Sequence, residues 1–133
     1  LKAADVRLIL DTNVLIRALI DPARLSAETR AVLEDPEHEV FFSTASVWEI
    51  AIKFALGRAD FKVSPAVIVE SAEASGFVEL PIRSPAALKV ASLPHLHRDP
   101  FDRLLVAQAM TEPAQLYTTD QELAPYSELV VCV

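Results

Sequence analysis

The chain has 133 residues, 52% of them apolar, with a formal net charge of −7, two glycines and one cysteine. This is enough for a single domain (1–133) with a hydrophobic core, and no charge block or low-complexity tract marks it as disordered. Two isolated glycines, Gly57 and Gly76, exclude a glycine-rich phosphate loop, while a lone cysteine excludes a disulfide framework or zinc finger and fits a reducing cytoplasm.

VRLIL, Val6 to Leu10, is a continuous apolar run of strand type, followed by DTN and a helical VLIRALI that Asp21-Pro22 stops. Ser26 caps a second helix through Leu33, with Asp35-Pro36 as its end. VFFS, Val40 to Ser43, reads as a second strand. Ser46 is then expected to open a helix over VWEIAIKFAL that closes at Gly57. Ser64-Pro65 opens another helix, closed by Gly76 at the position that favours left-handed backbone. FVELPI is a third strand candidate, and Ser84-Pro85 begins a helix to about Leu93. In HRDPFDRLLVAQA, His97 to Ala109, an Asp at the N-cap and a Pro at the first helical position open a helix that runs to about Thr111. LYTT is the fourth strand, a helical turn near Gln121 follows, and LVVCV is the fifth, where Cys132 is expected to be a buried thiol.

Strands apolar on both faces and alternating with helices specify an α/β fold, a parallel sheet of about five strands sandwiched between helices. No apolar stretch reaches the ~18–20 residues that cross a bilayer, and the N-terminus lacks a signal-peptide layout, so no membrane partner is expected.

In such a sheet the ligand crevice lies beyond the carboxyl ends of the strands. Asp11 ends the first strand, Glu49 falls in the expected first turn after the second, Asp99 and Asp102 open a later helix, and Asp120 follows the fourth strand. Each has an ordinary structural explanation: a loop start, a Ser46–Glu49 capping box, an N-cap, a turn cap. Together they converge on one edge, where unpaired carboxylates repel, and no Lys or Arg occupies a matching strand end. Mg²⁺ or Mn²⁺ takes such oxygen ligands. The acidic balance, which on its face argues against a nucleic acid partner, then misstates the local field. A divalent cation lowers the pKa of coordinated water and stabilises a phosphorane-like transition state, so the set suits phosphodiester hydrolysis.

LILDTNVLI (Leu8 to Ile16), SVWEIAIKFALGR (Ser46 to Arg58), HRDPFDRLLVAQA and LYTTDQEL (Leu116 to Leu123), in that order, resemble the motifs of PIN-domain ribonucleases, and within them the VapC toxins of toxin–antitoxin pairs. The resemblance covers nearly the whole chain. It implies a PIN-like fold and Mg²⁺-dependent endonucleolytic cleavage of RNA, with Asp11, Glu49, Asp102 and Asp120 as the catalytic, metal-binding acids. It also implies a small cognate antitoxin protein and a homodimer. Thr12 and Asn13 resemble the polar neighbours of the first Asp, with Asn13 expected to brace the loop, and Asp99 is auxiliary.

Arg98 and Arg103 are candidate RNA phosphate contacts or ion-pair partners of Asp99, and Lys53 and Arg58 are candidates for the same. His95 and His97 read as solvated loop residues, with a contact to substrate phosphate or a transition metal as alternatives. Trp48 reads as core rather than a base-stacking platform. The apolar surplus of the helices around Val14–Ile20 and Ala45–Ala55 suggests a surface for a dimer mate or an antitoxin helix, against ordinary core burial.

The competing function is a catalytically silent PIN-like module that binds RNA or protein; the intact acidic set argues against it. Phosphoryl transfer through an Asp nucleophile falls behind. A haloacid-dehalogenase-like site wants an acid where Asn13 stands, and a receiver domain wants a late-strand Lys that LYTTD lacks.

Overall fold

The computed structural model describes residues 6–133; the expected 1–133 extent therefore includes five residues outside the described ones. Five parallel strands, β1 (Arg7–Leu10), β2 (Glu39–Ser43), β3 (Val78–Leu80), β4 (Gln115–Thr118) and β5 (Val130–Cys132), lie in the order β3-β2-β1-β4-β5. The helices are α1 (Thr12–Ile20), α2 (Ala27–Glu34), α3 (Thr44–Ala55), α4 (Pro65–Ala74), α5 (Ser84–Lys89) and α6 (Pro100–Thr111). Short 3₁₀ segments span Pro22–Arg24, Val90–Ser92 and Gln121–Tyr126.

Strand side chains alternate between two apolar layers, as a period of two requires. Leu8, Leu10, Val40, Phe42 and Tyr117 pack with Val14, Leu15, Ile50, Ile68 and Ala72 on one face. Ile9 and Leu116 pack on the other with Leu105, Val106, Ala109 and Leu123. Both faces are covered by helices, the usual condition of an all-parallel sheet. The chain moves from β1 outward through β2 and β3, then returns to place β4 on the other side of β1. That reversal opens a crevice at the carboxyl ends of β1 and β4.

Three local expectations are corrected. Ser43, not Ser46, caps α3: its hydroxyl accepts the Ala45 N–H at 3.0 Å, so β2 passes directly into the helix. Glu49 consequently lies in the second turn and makes no capping box. Ser84 is the first residue of α5 rather than its cap, a position held by Arg83. Cys132 is exposed, because β5 is a three-residue edge strand with partners on one side only.

Trp48 is also not core. It is 59% exposed and meets Phe101 edge-on, ring centroids 5.3 Å apart, tying α3 to the first turn of α6. Trp48, Ile52 and Leu56, one helical repeat apart, leave an apolar stripe of α3 facing outward, which is where the apolar surplus of that helix goes. Among the described residues no helix is long and apolar enough to cross a membrane.

Candidate active site

Asp11 follows β1 directly and caps α1. Its backbone N–H extends the β1–β4 ladder to the Tyr117 carbonyl at 2.9 Å. One side-chain oxygen, Oδ1, accepts the Val14 N–H at 2.8 Å; the other, Oδ2, accepts the Thr118 hydroxyl at 2.6 Å. Both oxygens are thereby oriented while each keeps acceptor capacity. Burial is the largest influence on this carboxyl and pushes its pKa up, opposed by those hydrogen bonds and by the Thr119 N–H.

Glu49 is 5% exposed on α3. Its Oε1 accepts the Thr12 hydroxyl at 2.6 Å, with the Ser46 hydroxyl 3.0 Å from the same Thr12 oxygen; its Oε2 receives the Lys53 ammonium at 2.5 Å. Lys53 also sits over the Phe61 ring, 5.0 Å from its centroid. A cation therefore does reach the acids, from one helical turn further along α3 rather than from a strand end.

Asp99 caps α6, accepting the Phe101 and Asp102 N–H groups at 2.9 and 3.4 Å. Its cap fixes where the helix starts and so where Asp102 points. The Asp102 carboxyl is pushed up to about 7, first by burial and then by the charges of Asp99, Asp11 and Glu49, with His97 acting in the opposite direction. Asp120 caps the 3₁₀ segment after β4, its Oδ1 accepting the Glu122 N–H at 2.9 Å. The Thr118 hydroxyl that binds Asp11 also accepts the Asp120 N–H at 3.0 Å, so one threonine coordinates two acids.

Asp11, Thr12, Asn13, Glu49, Lys53, Asp99, Asp102 and Asp120 line a single cavity of about 180 Å³, closed on one side by Asp60 and Phe61. Six carboxylates face one ammonium there among the described residues. A larger concavity, about 600 Å³, lies at the amino ends of β2 and β3, with Arg30, Glu34, Asp35 and His38 on mixed walls. Size does not locate the chemistry here; the clustered carboxylates do.

The expected arginines fall outside this cavity. Arg98 and Arg103 line a neighbouring concavity with His95 and Glu122. Arg98 is exposed, whereas one Arg103 nitrogen, Nη2, donates to the Val90 and Leu93 carbonyls at 3.3 and 3.0 Å. Arg58 lies 3.4 Å from Asp60. Asn13 is exposed and braces nothing among the described residues; Thr12 and Thr118 do that work. His97 is not solvated, being bonded at both ring nitrogens. Sequence reasoning missed Thr118, Ser46, Asp60 and Phe61. Only the Glu49–Lys53 pair carried a usable signal, its i,i+4 spacing on one helix.

The PIN domain family description matches residues 8–129. Solved structures of the same fold include VapBC2 from Rickettsia felis bound to a promoter DNA fragment, at 12% identity and TM-score 0.69. VapBC-5 from Mycobacterium tuberculosis matches at 22% and 0.61, and DNA-bound VapBC from Salmonella typhimurium at 15% and 0.67. Each match covers 96% of this chain and 98% of the other. No curated protein matches the chain significantly. A family match spanning the first strand to the last turn, on a five-stranded parallel sheet with acids at its switch point, establishes that the chain belongs to the PIN domain family.

Proposed function

We propose that the chain is a divalent-cation-dependent endoribonuclease, the VapC-type toxin of a toxin–antitoxin pair, with Asp11, Glu49, Asp102 and Asp120 as its metal-holding acids. The observation that carries this is their meeting in one cavity beside the β1–β4 crevice. PIN domains are typically nucleases, which supports the coarse activity; the cation, the RNA substrate and the toxin role are proposed.

The donor set fits Mg²⁺, with Mn²⁺ as a substitute: the converging groups are carboxylate oxygens, and hard cations select oxygen over nitrogen or sulfur. The Asp102 carboxyl is raised to about 7, first by burial and then by the charges of Asp99, Asp11 and Glu49, and a cation at this point would offset both. When bound, the cation supplies the Lewis acidity that activates water and neutralises charge at the scissile phosphate. The chain's own residues do the rest. Thr118 and the Val14 N–H hold the Asp11 oxygens, Thr12 holds Glu49, and the Asp99 cap sets the angle of Asp102. Lys53, inside the cavity, and Arg98, exposed beside it, are the cations available to an RNA phosphate.

The neighbours in VapBC complexes support a small antitoxin as partner, and the outward apolar stripe of α3 supplies surface for that protein or for a second copy in a homodimer. The proposed setting is the cytoplasm, within one 1–133 domain.

The test is incubation of antitoxin-free protein with structured RNA, in Mg²⁺ or in EDTA, for wild type and Asp11→Asn. Cleavage is expected only for wild type in Mg²⁺. Cleavage that survives EDTA or the substitution contradicts the metal mechanism; no cleavage by any form under any divalent cation leaves the silent binding module as the reading.

A further inference from the structure

His97 lies in the loop before α6, and three contacts fix it. The Tyr126 hydroxyl accepts the backbone N–H groups of Leu96 and His97 at 3.1 and 3.0 Å. The ring Nδ1 lies 3.0 Å from the Asp99 backbone nitrogen, and Nε2 lies 2.7 Å from Asp120 Oδ2. The side chain is only 12% exposed.

The Asp99 N–H is a donor that cannot be anything else, so Nδ1 must accept and carries no proton. The ring proton then sits on Nε2 and is donated to Asp120. His97, Asp102 and Asp120 offer ligand atoms within 4.8 Å of one another and on distance alone form a metal-binding trio. The tautomer separates them. To bind a metal through Nε2, the ring would need its proton on Nδ1, pointed at another N–H. A trio of ligands therefore becomes two acids and one orienting donor.

We propose that His97 is a positioning residue that holds Asp120 for the cation through an Nε2–H donor, and is not itself a ligand; this rests on the reading of Asp120 as a metal-holding acid. With Glu122 N–H on Oδ1 and His97 on Oδ2, both oxygens of Asp120 are oriented, as Val14 and Thr118 orient those of Asp11. The two acids on the β4 side and the β1 side are thus both braced by backbone N–H groups and a side-chain donor together. The role is that of the outer partners that fix ligands around metals, whose loss typically costs ~10–100-fold in metal affinity or activity.

Long-range ¹H–¹⁵N correlation of the histidine rings tests the tautomer on the wild-type protein, with His97→Gln assigning the signal among the three histidines. The Nε2–H form is expected both without and with saturating Mg²⁺. An Nδ1–H form, or loss of the Nε2 proton when Mg²⁺ binds, overturns the proposal. Mg²⁺ affinity by calorimetry gives the second readout. His97→Ala is expected to weaken it by ~10–100-fold, and His97→Gln, which keeps a donor near the Nε2 position, to recover most of it. Unchanged affinity in His97→Ala beside a loss in Asp120→Asn overturns the positioning role and leaves the metal site standing. Unchanged affinity in Asp120→Asn overturns both.

Discussion

Asp102 concentrates the electrostatics of the site in one side chain. Its carboxyl is pushed up from the group's ordinary 3.8 to about 7 in the folded chain, first by desolvation and then by Asp99, Asp11 and Glu49. Between those two pH values the unfolded chain holds fewer protons at this group than the folded one, so folding stability falls as pH rises from about 4 to about 7 and is flat above it. In EDTA, the melting temperature of wild type relative to Asp102→Asn is therefore expected to drop across that window, and saturating Mg²⁺ to abolish the drop by supplying the missing charge. Parallel melting curves for the two proteins from pH 4 to 8 would show that Asp102 is not under this strain. The convergence of Asp11, Asp102 and Asp120 was legible in the sequence because each sits next to a strand end or a helix start, where local pattern is reliable; Glu49 was singled out although it lies a turn further into its helix than expected. The partners that orient them were not: Thr118 and Asp11 are 107 positions apart, and His97 and Asp120 are 23 apart. No local periodicity reports such pairings.

At the scale of elements, α6 divides two jobs between carboxylates three residues apart. Asp99 accepts N–H groups at the helix start, and Pro100 occupies the first helical position, where its missing N–H costs nothing. Asp102 accepts none of these and points into the cavity. Asp99→Ala is expected to cost about 1 kcal/mol of stability, the usual value of a lost cap, while Asp102→Asn leaves stability at pH 8 unchanged or higher. For RNA cleavage the order reverses: Asp102→Asn abolishes it and Asp99→Asn only reduces it. Urea unfolding and a cleavage assay on the same preparations check both, and equal effects from the two would erase the division. Helix α6 could be read in advance since its cap, proline and apolar run all agree. Helix α3 could not be placed correctly, because two serines three residues apart each precede a plausible first turn. Tertiary context selects Ser43, whose hydroxyl also donates to the buried Gln108 on α6 at 2.6 Å, leaving Ser46 to meet Thr12. That choice moved Glu49 into the second turn, within reach of both Thr12 and Lys53.

For the whole molecule, the strand order explains how a chain of net charge −7 comes to gather acids in one place. Reversal of direction at β1 opens one crevice, and the topology delivers acids from the ends of β1 and β4 and from α3 and α6 to it, so six of the nineteen acids gather in a single cavity. The strand order itself was beyond reach of the sequence: every strand is a short apolar run, interchangeable by pattern, and only packing decides which lies next to which. The most direct measurement is a calorimetric titration of Mg²⁺ into wild type, Asp11→Asn, Glu49→Gln, Asp102→Asn and Asp120→Asn. Wild type is expected to bind, and each substitution to weaken or remove that binding. Binding unaltered in all four variants would contradict a shared cation site formed by these acids.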